Sequence, residues 1–291
     1  MAYTDGYWWS NDGLRLHYRD YAGGDAARPP ILCIPGLTRN ARDFEGLAAR
    51  LAGQWRVIAV DLRGRGESAY AKDPLTYAPV SYQQDLEALV AALAIDRFVL
   101  AGTSMGGLLA MHLGAADPAR VAGLIVNDVG PELDEIGMAR IRSTIGRTST
   151  WPTWVHAARD FAELHKAAFP KWKLEDWLVF AKRMARIGSA GRIVPDYDMR
   201  IAEALRGASP VAGMDLWSAW QALAGVPALV VRGARSDILS AETLERMIAT
   251  NGEAKALTVQ GIGHAPTLDE PEVTAAIDGL LARVEERLVI A

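Results

Sequence analysis

The sequence predicts an α/β fold: a mostly parallel central sheet with helices on both faces, interrupted by a helical insertion. Three observations carry this. Short, continuous apolar runs alternate with helix-patterned segments, and such runs suit strands buried on both faces of a parallel sheet. The alternation stops near residue 130 and resumes at Pro227, and between them roughly residues 134 to 214 are helical in pattern, Trp-rich and punctuated by Pro. The chain has 291 residues, 50% of them hydrophobic, which is enough to bury a large core.

Leu14 to Arg19 alternates apolar and polar residues and reads as an early, half-exposed antiparallel strand. Ile31 to Ile34 is the first continuous apolar run, stopped by Pro35-Gly36; Arg56 to Val60 is the second, stopped by Asp61. From Ser81 to Val90, Leu86, Leu89 and Val90 share one helical face, and Ser81 with Gln84 reads as a capping box. Phe98 to Ala101 is a third strand and residues 105–116 a helix. Val121 to Val126 is a fourth apolar run, stopped by Asn127-Asp128. Ala228 to Val231 and Ala256 to Val259 follow the insertion, with helical patterns at 240–250 and 271–288. Both flanks of the insertion belong to one sheet. Residues 1–133 and 215–291 therefore read as one core domain and 134–214 as a helical cap inserted at a loop beyond a strand end. No internal repeat or low-complexity tract interrupts this pattern.

Composition removes several function classes. A net charge of -4 with interspersed signs argues against nucleic acid as a partner, which calls for a basic surface. No apolar stretch reaches the length of a membrane span, and the N-terminus shows neither the basic nor the apolar region of a signal peptide, so a cytoplasmic protein is expected. The one cysteine, Cys33, cannot form an internal disulfide and reads as a buried small hydrophobe.

The chemistry concentrates at Gly102-Thr103-Ser104-Met105-Gly106-Gly107, between a strand and a helix. A turn tight enough to lift a serine hydroxyl clear of a sheet strains the serine backbone and crowds the positions two residues either side, where glycine stands. The competing reading makes Ser104 an ordinary helix N-cap. A serine hydroxyl needs a base, and the base an orienting acid. Of five histidines, His17 lies in the early strand, His112 lies too far along the helix that follows Ser104, and His156 and His165 lie in the insertion, where a satisfied or solvated histidine is the default. His264 sits in a glycine-flanked loop after the last strand, where α/β sheets place working residues, and is taken as the base. Asp237, after the strand Ala228 to Val231, is the preferred acid, because the order Ser104, Asp237, His264 follows the Ser, Asp/Glu, His order of nucleophile-elbow hydrolases. Asp128, also at a strand end, is its competitor; the turn Asn127-Asp128-Val129-Gly130-Pro131 gives it a capping role instead. The backbone N–H groups of Met105 and Leu37 are the expected oxyanion donors, since Pro35 has no N–H to give.

Four motifs in order resemble the α/β-hydrolase superfamily, in its lidded, serine esterase-like branch: Asp61-Leu62-Arg63-Gly64-Arg65-Gly66-Glu67-Ser68, the elbow at Gly102 to Gly106, the acid loop Arg232 to Leu239, and Gly263-His264-Ala265-Pro266. Where that family often carries His-Gly, this chain has Pro35-Gly36, which leaves the oxyanion N–H intact but removes the side chain that usually braces the loop. The resemblance implies a hydrolase acting on a small-molecule carboxylic ester or lactone through an acyl-enzyme. A serine at the elbow sets it apart from the epoxide hydrolases and haloalkane dehalogenases of this fold, which use aspartate.

Carbon–carbon hydrolysis of ring-cleavage diketone acids by the same triad is the alternative, with Arg39 or an arginine of the cap holding a carboxylate. Acyl transfer differs only in the second acceptor, and a non-enzymatic scaffold is the remaining class. No metal-ligand spacing and no phosphate loop is present, so no cofactor is expected. Six of the nine tryptophans, Trp151, Trp154, Trp172, Trp177, Trp217 and Trp220, fall close together; they suggest an apolar binding surface under the cap, or simply pack its helices.

Overall fold

The computed structural model describes residues 3–147, 149–207 and 213–290. The chain opens with an antiparallel hairpin, β1 (Thr4–Trp9) and β2 (Arg15–Tyr21), then enters the sheet proper through β3 (Ile31–Ile34), α1 (Glu45–Leu51) and β4 (Val57–Asp61). Next come α2 (Pro79–Ala92), β5 (Phe98–Thr103), α3 (Met105–Ala116) and β6 (Val121–Asn127). The helix α2 begins two residues earlier than the capping-box reading, on Pro79, and Ala78 at its start gives no side-chain cap. Proline at the first helical position needs no amide partner, so the start is set by Pro79 rather than by Ser81.

Between β6 and β9 the chain leaves the sheet. It forms α4 (Glu135–Thr144), α5 (Trp154–His165) and α6 (Leu174–Met184), a two-stranded ribbon of β7 (Ala185–Ile187) and β8 (Ile193–Pro195), and then α7 (Ile201–Gly207) and α8 (Leu216–Ala222). The ribbon departs from the all-helical reading of this segment; at three residues a strand, it is too short to show a period of two. The sheet resumes with β9 (Ala228–Gly233), α9 (Ala241–Thr250), β10 (Ala254–Val259) and α10 (Pro271–Ile290).

The eight-stranded sheet has the order β1-β2-β4-β3-β5-β6-β9-β10, parallel from β4 onward. Alternate residues of each central strand feed opposite cores. Leu32, Ile34, Leu100 and Val230 pack with α2, α3 and α8, whereas Ile31, Cys33, Val99 and Val231 pack with α1 and α10. The helix α10 buries Val273, Ile277, Leu280, Leu281 and Val284, a stripe at helical spacing. Burial raises the Cys33 thiol far above its ordinary value, consistent with a packed, inert side chain.

Register aligns the sheet's working edge. Thr103 pairs Asn127, Asn127 pairs Val231, and Gly233 pairs Val259, so β5 and β6 end together and β9 and β10 end together two residues further on. The α4 to β8 segment holds its own aromatic core of Trp151, Phe161, Phe169, Trp177, Phe180 and Ile193. Buried polar contacts tie it to the sheet domain: Asp196 pairs with Arg42, Asn40 Nδ2 donates to the Arg183 carbonyl at 2.9 Å, and Tyr77 donates to Asp198 at 2.6 Å. Trp217 and Trp220 pack against the sheet's core instead. Among the described residues no helix is long and apolar enough to cross a membrane.

Trp220 is fully buried on α8, and its indole N–H donates to the Met247 carbonyl at 3.0 Å. Trp220→Ala is expected to cost about 3–5 kcal/mol of stability by urea unfolding, as large-to-small core changes do. A loss below about 1 kcal/mol would contradict this packing.

Candidate active site

Ser104 joins β5 to α3 with φ 54° and ψ -124°, a conformation that a residue with a side chain adopts only when its surroundings compel it. Its N–H donates to the Asn127 carbonyl at 2.9 Å. The flanking glycines are sterically required. A Cβ on Gly102 would sit 2.2 Å from the Gly106 carbonyl oxygen, and one on Gly106 would sit 2.0 Å from the Ile34 carbonyl oxygen. The Ser104 side chain makes no N-cap bond to α3, which sets aside the capping reading.

His264 meets it. The imidazole Nε2 lies 2.8 Å from Ser104 Oγ, and Nδ1 lies 2.7 Å from Asp128 Oδ2. A carboxylate only accepts, so Nδ1 carries the proton and Nε2 is free to accept from the serine hydroxyl. Asp128 is fully buried at the tip of β6 with φ 57°, and its other oxygen accepts the Gly233 N–H at 2.8 Å. Asn127 Nδ2 donates to the Pro266 carbonyl at 2.8 Å and to Thr103 Oγ1 at 3.1 Å, tying the histidine loop to β5.

The structure thus brings Asp128, and not the expected Asp237, to the His264 imidazole. Asp237 accepts two hydrogen bonds from Arg140, Nε at 2.6 Å and Nη2 at 2.8 Å. Burial pushes its carboxyl up, but Arg140 and the nearby His264 outweigh this and hold it below the usual range. The physical reason is strand order. β6 is the hydrogen-bonded neighbour of β5, whereas β9 is one strand further from Ser104. The turn reading of Asn127-Asp128 caught the left-handed backbone but not the direction of the carboxylate.

Leu37 and Met105 flank the serine. A Cβ on Gly36 would lie 3.6 Å from the Ser104 Cβ, so the loop after β3 rests on the elbow. Arg39 N–H donates to the Gly36 carbonyl at 3.1 Å. The planar peptide then turns the Leu37 N–H the opposite way, out of the turn. Among the described residues neither this N–H nor that of Met105 donates to a protein acceptor. Where Pro35 supplies no brace, Arg65 does. Fully buried, with its guanidinium 4.8 Å from the Tyr82 ring centre, it donates from Nε to the Leu37 carbonyl at 2.8 Å. Its place in the Asp61 to Ser68 motif was visible in the sequence, but its reach to Leu37 was not.

A cavity of about 140 Å³ opens on Ser104 and His264. Phe169, Phe180, Ile141 and Met184 line it, as do Arg39, Arg140, Arg183 and Asp43. Among the described residues no tryptophan does; of the two readings the sequence allows, packing is the one the tryptophans follow, and the cavity wall is made of phenylalanines, aliphatic side chains and guanidinium groups. Trp151 and Trp177 instead pack α5 and α6 together, and Trp172 stacks on Phe169 at 3.9 Å. His165, read as an ordinary histidine of the insertion, also faces the cavity, its ring against Phe161 and Phe180. Nothing in its spacing could have signalled this, because α4 to α6 reach the site only through tertiary packing. Burial, and then the charges of Arg39, Arg140 and His264, lower its pKa to about 4. Elsewhere, His17 is buried between Asp61 and Asp5, while Thr153 caps α5, its hydroxyl accepting the His156 N–H and meeting the His156 Nδ1. Among the described residues no three His, Cys, Asp or Glu side chains group as metal ligands do.

Residues 31–277 match the model of the alpha/beta hydrolase family. An alpha/beta hydrolase from Novosphingobium aromaticivorans, solved as a crystal structure, is 55% identical with a TM-score of 0.93, over 97% of this chain and 99% of that one. A 3-hydroxybutyrate-oligomer hydrolase of Cupriavidus necator is 34% identical over 88% of this chain and 89% of its own length. A 2-(acetamidomethylene)succinate hydrolase of Mesorhizobium japonicum is 24% identical over 90% of this chain and 89% of its own.

The lowered pKa of His165 has a sign in stability. The unfolded chain protonates this histidine near its ordinary value of 6.5 and the folded protein only near 4, so acid favours unfolding within that window. Between pH 7 and pH 4.5 the His165→Gln variant should lose about 2 kcal/mol less than the parent by urea unfolding. Equal losses would contradict the assignment.

Proposed function

The chain belongs to the alpha/beta hydrolase family, and from that premise we propose that it is a serine hydrolase cleaving a carboxylic ester or lactone through an acyl-enzyme. The observation that supports this most is the unbroken run of hydrogen bonds Ser104 to His264 to Asp128. Ser104 Oγ attacks the ester carbonyl as its proton passes to His264 Nε2. Asp128, held by the Gly233 N–H, keeps the proton on Nδ1 and stabilises the imidazolium that forms. The N–H groups of Leu37 and Met105 receive the oxyanion, and their positions are set before the substrate arrives. His264 then returns its proton to the leaving alcohol. Water, deprotonated by the same nitrogen, attacks the acyl-enzyme and releases the acid and Ser104. The α4 to β8 segment acts as a cap over this chemistry, its phenylalanines and Met184 limiting the water that reaches the serine.

The ester reading is favoured over carbon–carbon cleavage by the more similar of the two full-length relatives, 34% against 24% identical. An oligomer of a hydroxy acid is held together by ester bonds, and the Cupriavidus necator protein is named for hydrolysing one. A ring-cleavage diketone assayed beside simple esters separates the two readings.

On an activated short-chain ester, Ser104→Ala should abolish turnover. Asp128→Asn should lower kcat by about 10⁴-fold, the cost of losing the correct tautomer in such a triad. Asp237→Asn should cost far less. Full turnover by Ser104→Ala, or a larger loss from Asp237→Asn than from Asp128→Asn, would overturn the assignment.

A further inference from the structure

A neutral ester has no use for cations, yet the cavity lining holds three guanidinium groups, Arg39, Arg140 and Arg183, against one carboxylate, Asp43. His165 adds no charge near neutral pH, since its pKa is held near 4. Two of the arginines are built alike. Arg39 gives its Nε and Nη2 to Asp43, each at 2.6 Å, and lies 4.5 Å from the Phe180 ring centre. Arg140 gives its Nε and Nη2 to Asp237 at 2.6 and 2.8 Å. Each guanidinium is thus gripped along one edge, and among the described residues neither Nη1 has a hydrogen-bond partner. Asp237 itself is absent from the lining, so Arg140 presents its charge to the cavity with its counter-ion behind it. Arg39 stands two residues after Leu37, in the same turn as the expected oxyanion donor. Arg140 comes from α4, and both arginines raise the cost of protonating His165, which lines the same cavity. Two fixed, half-occupied guanidinium forks in a partly apolar cleft are suited to an oxygen pair on a planar anion.

We propose that Arg39 and Arg140 form a carboxylate subsite beside Ser104, so that the substrate is an ester carrying a free carboxylate a few carbon atoms from the scissile bond. The inference rests on the hydrolase reading for its reaction, but not for its binding. Asp237 then serves as a positioning residue that orients Arg140. Removing Arg140 alone would leave the Asp237 carboxylate unpaired near His264, so the charge-neutral pairs Arg140→Gln/Asp237→Asn and Arg39→Gln/Asp43→Asn are the variants to use.

Two matched substrate pairs test it. Monomethyl succinate against methyl 4-oxopentanoate places the carboxylate on the acyl side, and 3-acetoxybutanoate against 4-acetoxypentan-2-one places it on the alcohol side. At low salt, kcat/KM should favour the anion by about tenfold or more in at least one pair, the scale of a charge-assisted contact. That ratio should fall toward one in each double variant and shrink in about 0.5 M sodium chloride. The same compounds titrated calorimetrically into Ser104→Ala read binding without turnover. Turnover with no discrimination in either pair overturns the subsite and leaves the hydrolase reading standing. Calorimetric preference for the anions without any turnover in the parent supports the subsite and overturns that reading. Neither turnover nor preference overturns both. Discrimination that survives both double variants overturns the assignment to these arginines.

Discussion

A serine at positive φ, wedged between two glycines that cannot carry a methyl group, is the constraint on which the rest of the site depends. Gly102 lies against the Gly106 carbonyl and Gly106 against the Ile34 carbonyl, so β3, β5 and the start of α3 close on one point. That closeness brings the loop after β3 onto the serine and leaves the first amide of α3 unpaired beside it. Strain of this kind costs about 1–3 kcal/mol and persists only where the surroundings over-determine it. Here the surroundings are a parallel sheet buried on both faces and two helical layers.

The loops around the serine are held by side chains that lie outside the cavity lining. Asp61, at the end of β4, accepts the Ala41 and Glu67 amides at 2.7 and 3.0 Å and meets His17 Nδ1 at 2.7 Å. It thereby pins the loop after β3 and the turn that carries Arg65. Arg65 reaches from that turn to the Leu37 carbonyl, which answers the missing brace at Pro35. Asn127 does the same for the histidine loop. The edge where β5 and β6 end is thus fixed from behind, while His264 spans it to join Ser104 with Asp128.

What was legible in the sequence was whatever local pattern dictates. Continuous apolar runs marked β3 to β6 and β9, because strands buried on both faces can hold nothing else; β10 carries such a run too, although it lies at the sheet's edge and is partly exposed. The glycines marked the elbow because backbone crowding admits no other residue there. His264 was legible because its loop follows the last strand. What was not legible depends on lateral strand order and on tertiary packing. Asp128 and Asp237 look alike as acids after strands, and only the placement of β6 beside β5 separates them. The opening strand β1 and the three-residue ribbon gave no usable period. His165, Arg140 and Arg183 come to the serine on helices whose sequence says nothing of what they face.

The proposed catalytic unit is Ser104, His264 and Asp128 together with the Leu37 and Met105 amides. A crystal structure of the protein after treatment with an alkyl fluorophosphonate tests it most directly. The expected adduct has phosphorus bonded to Ser104 Oγ, its oxygen within hydrogen-bond reach of both amides, and the His264 imidazole still on Asp128. An adduct on another residue, or an imidazole turned to Asp237, would contradict it.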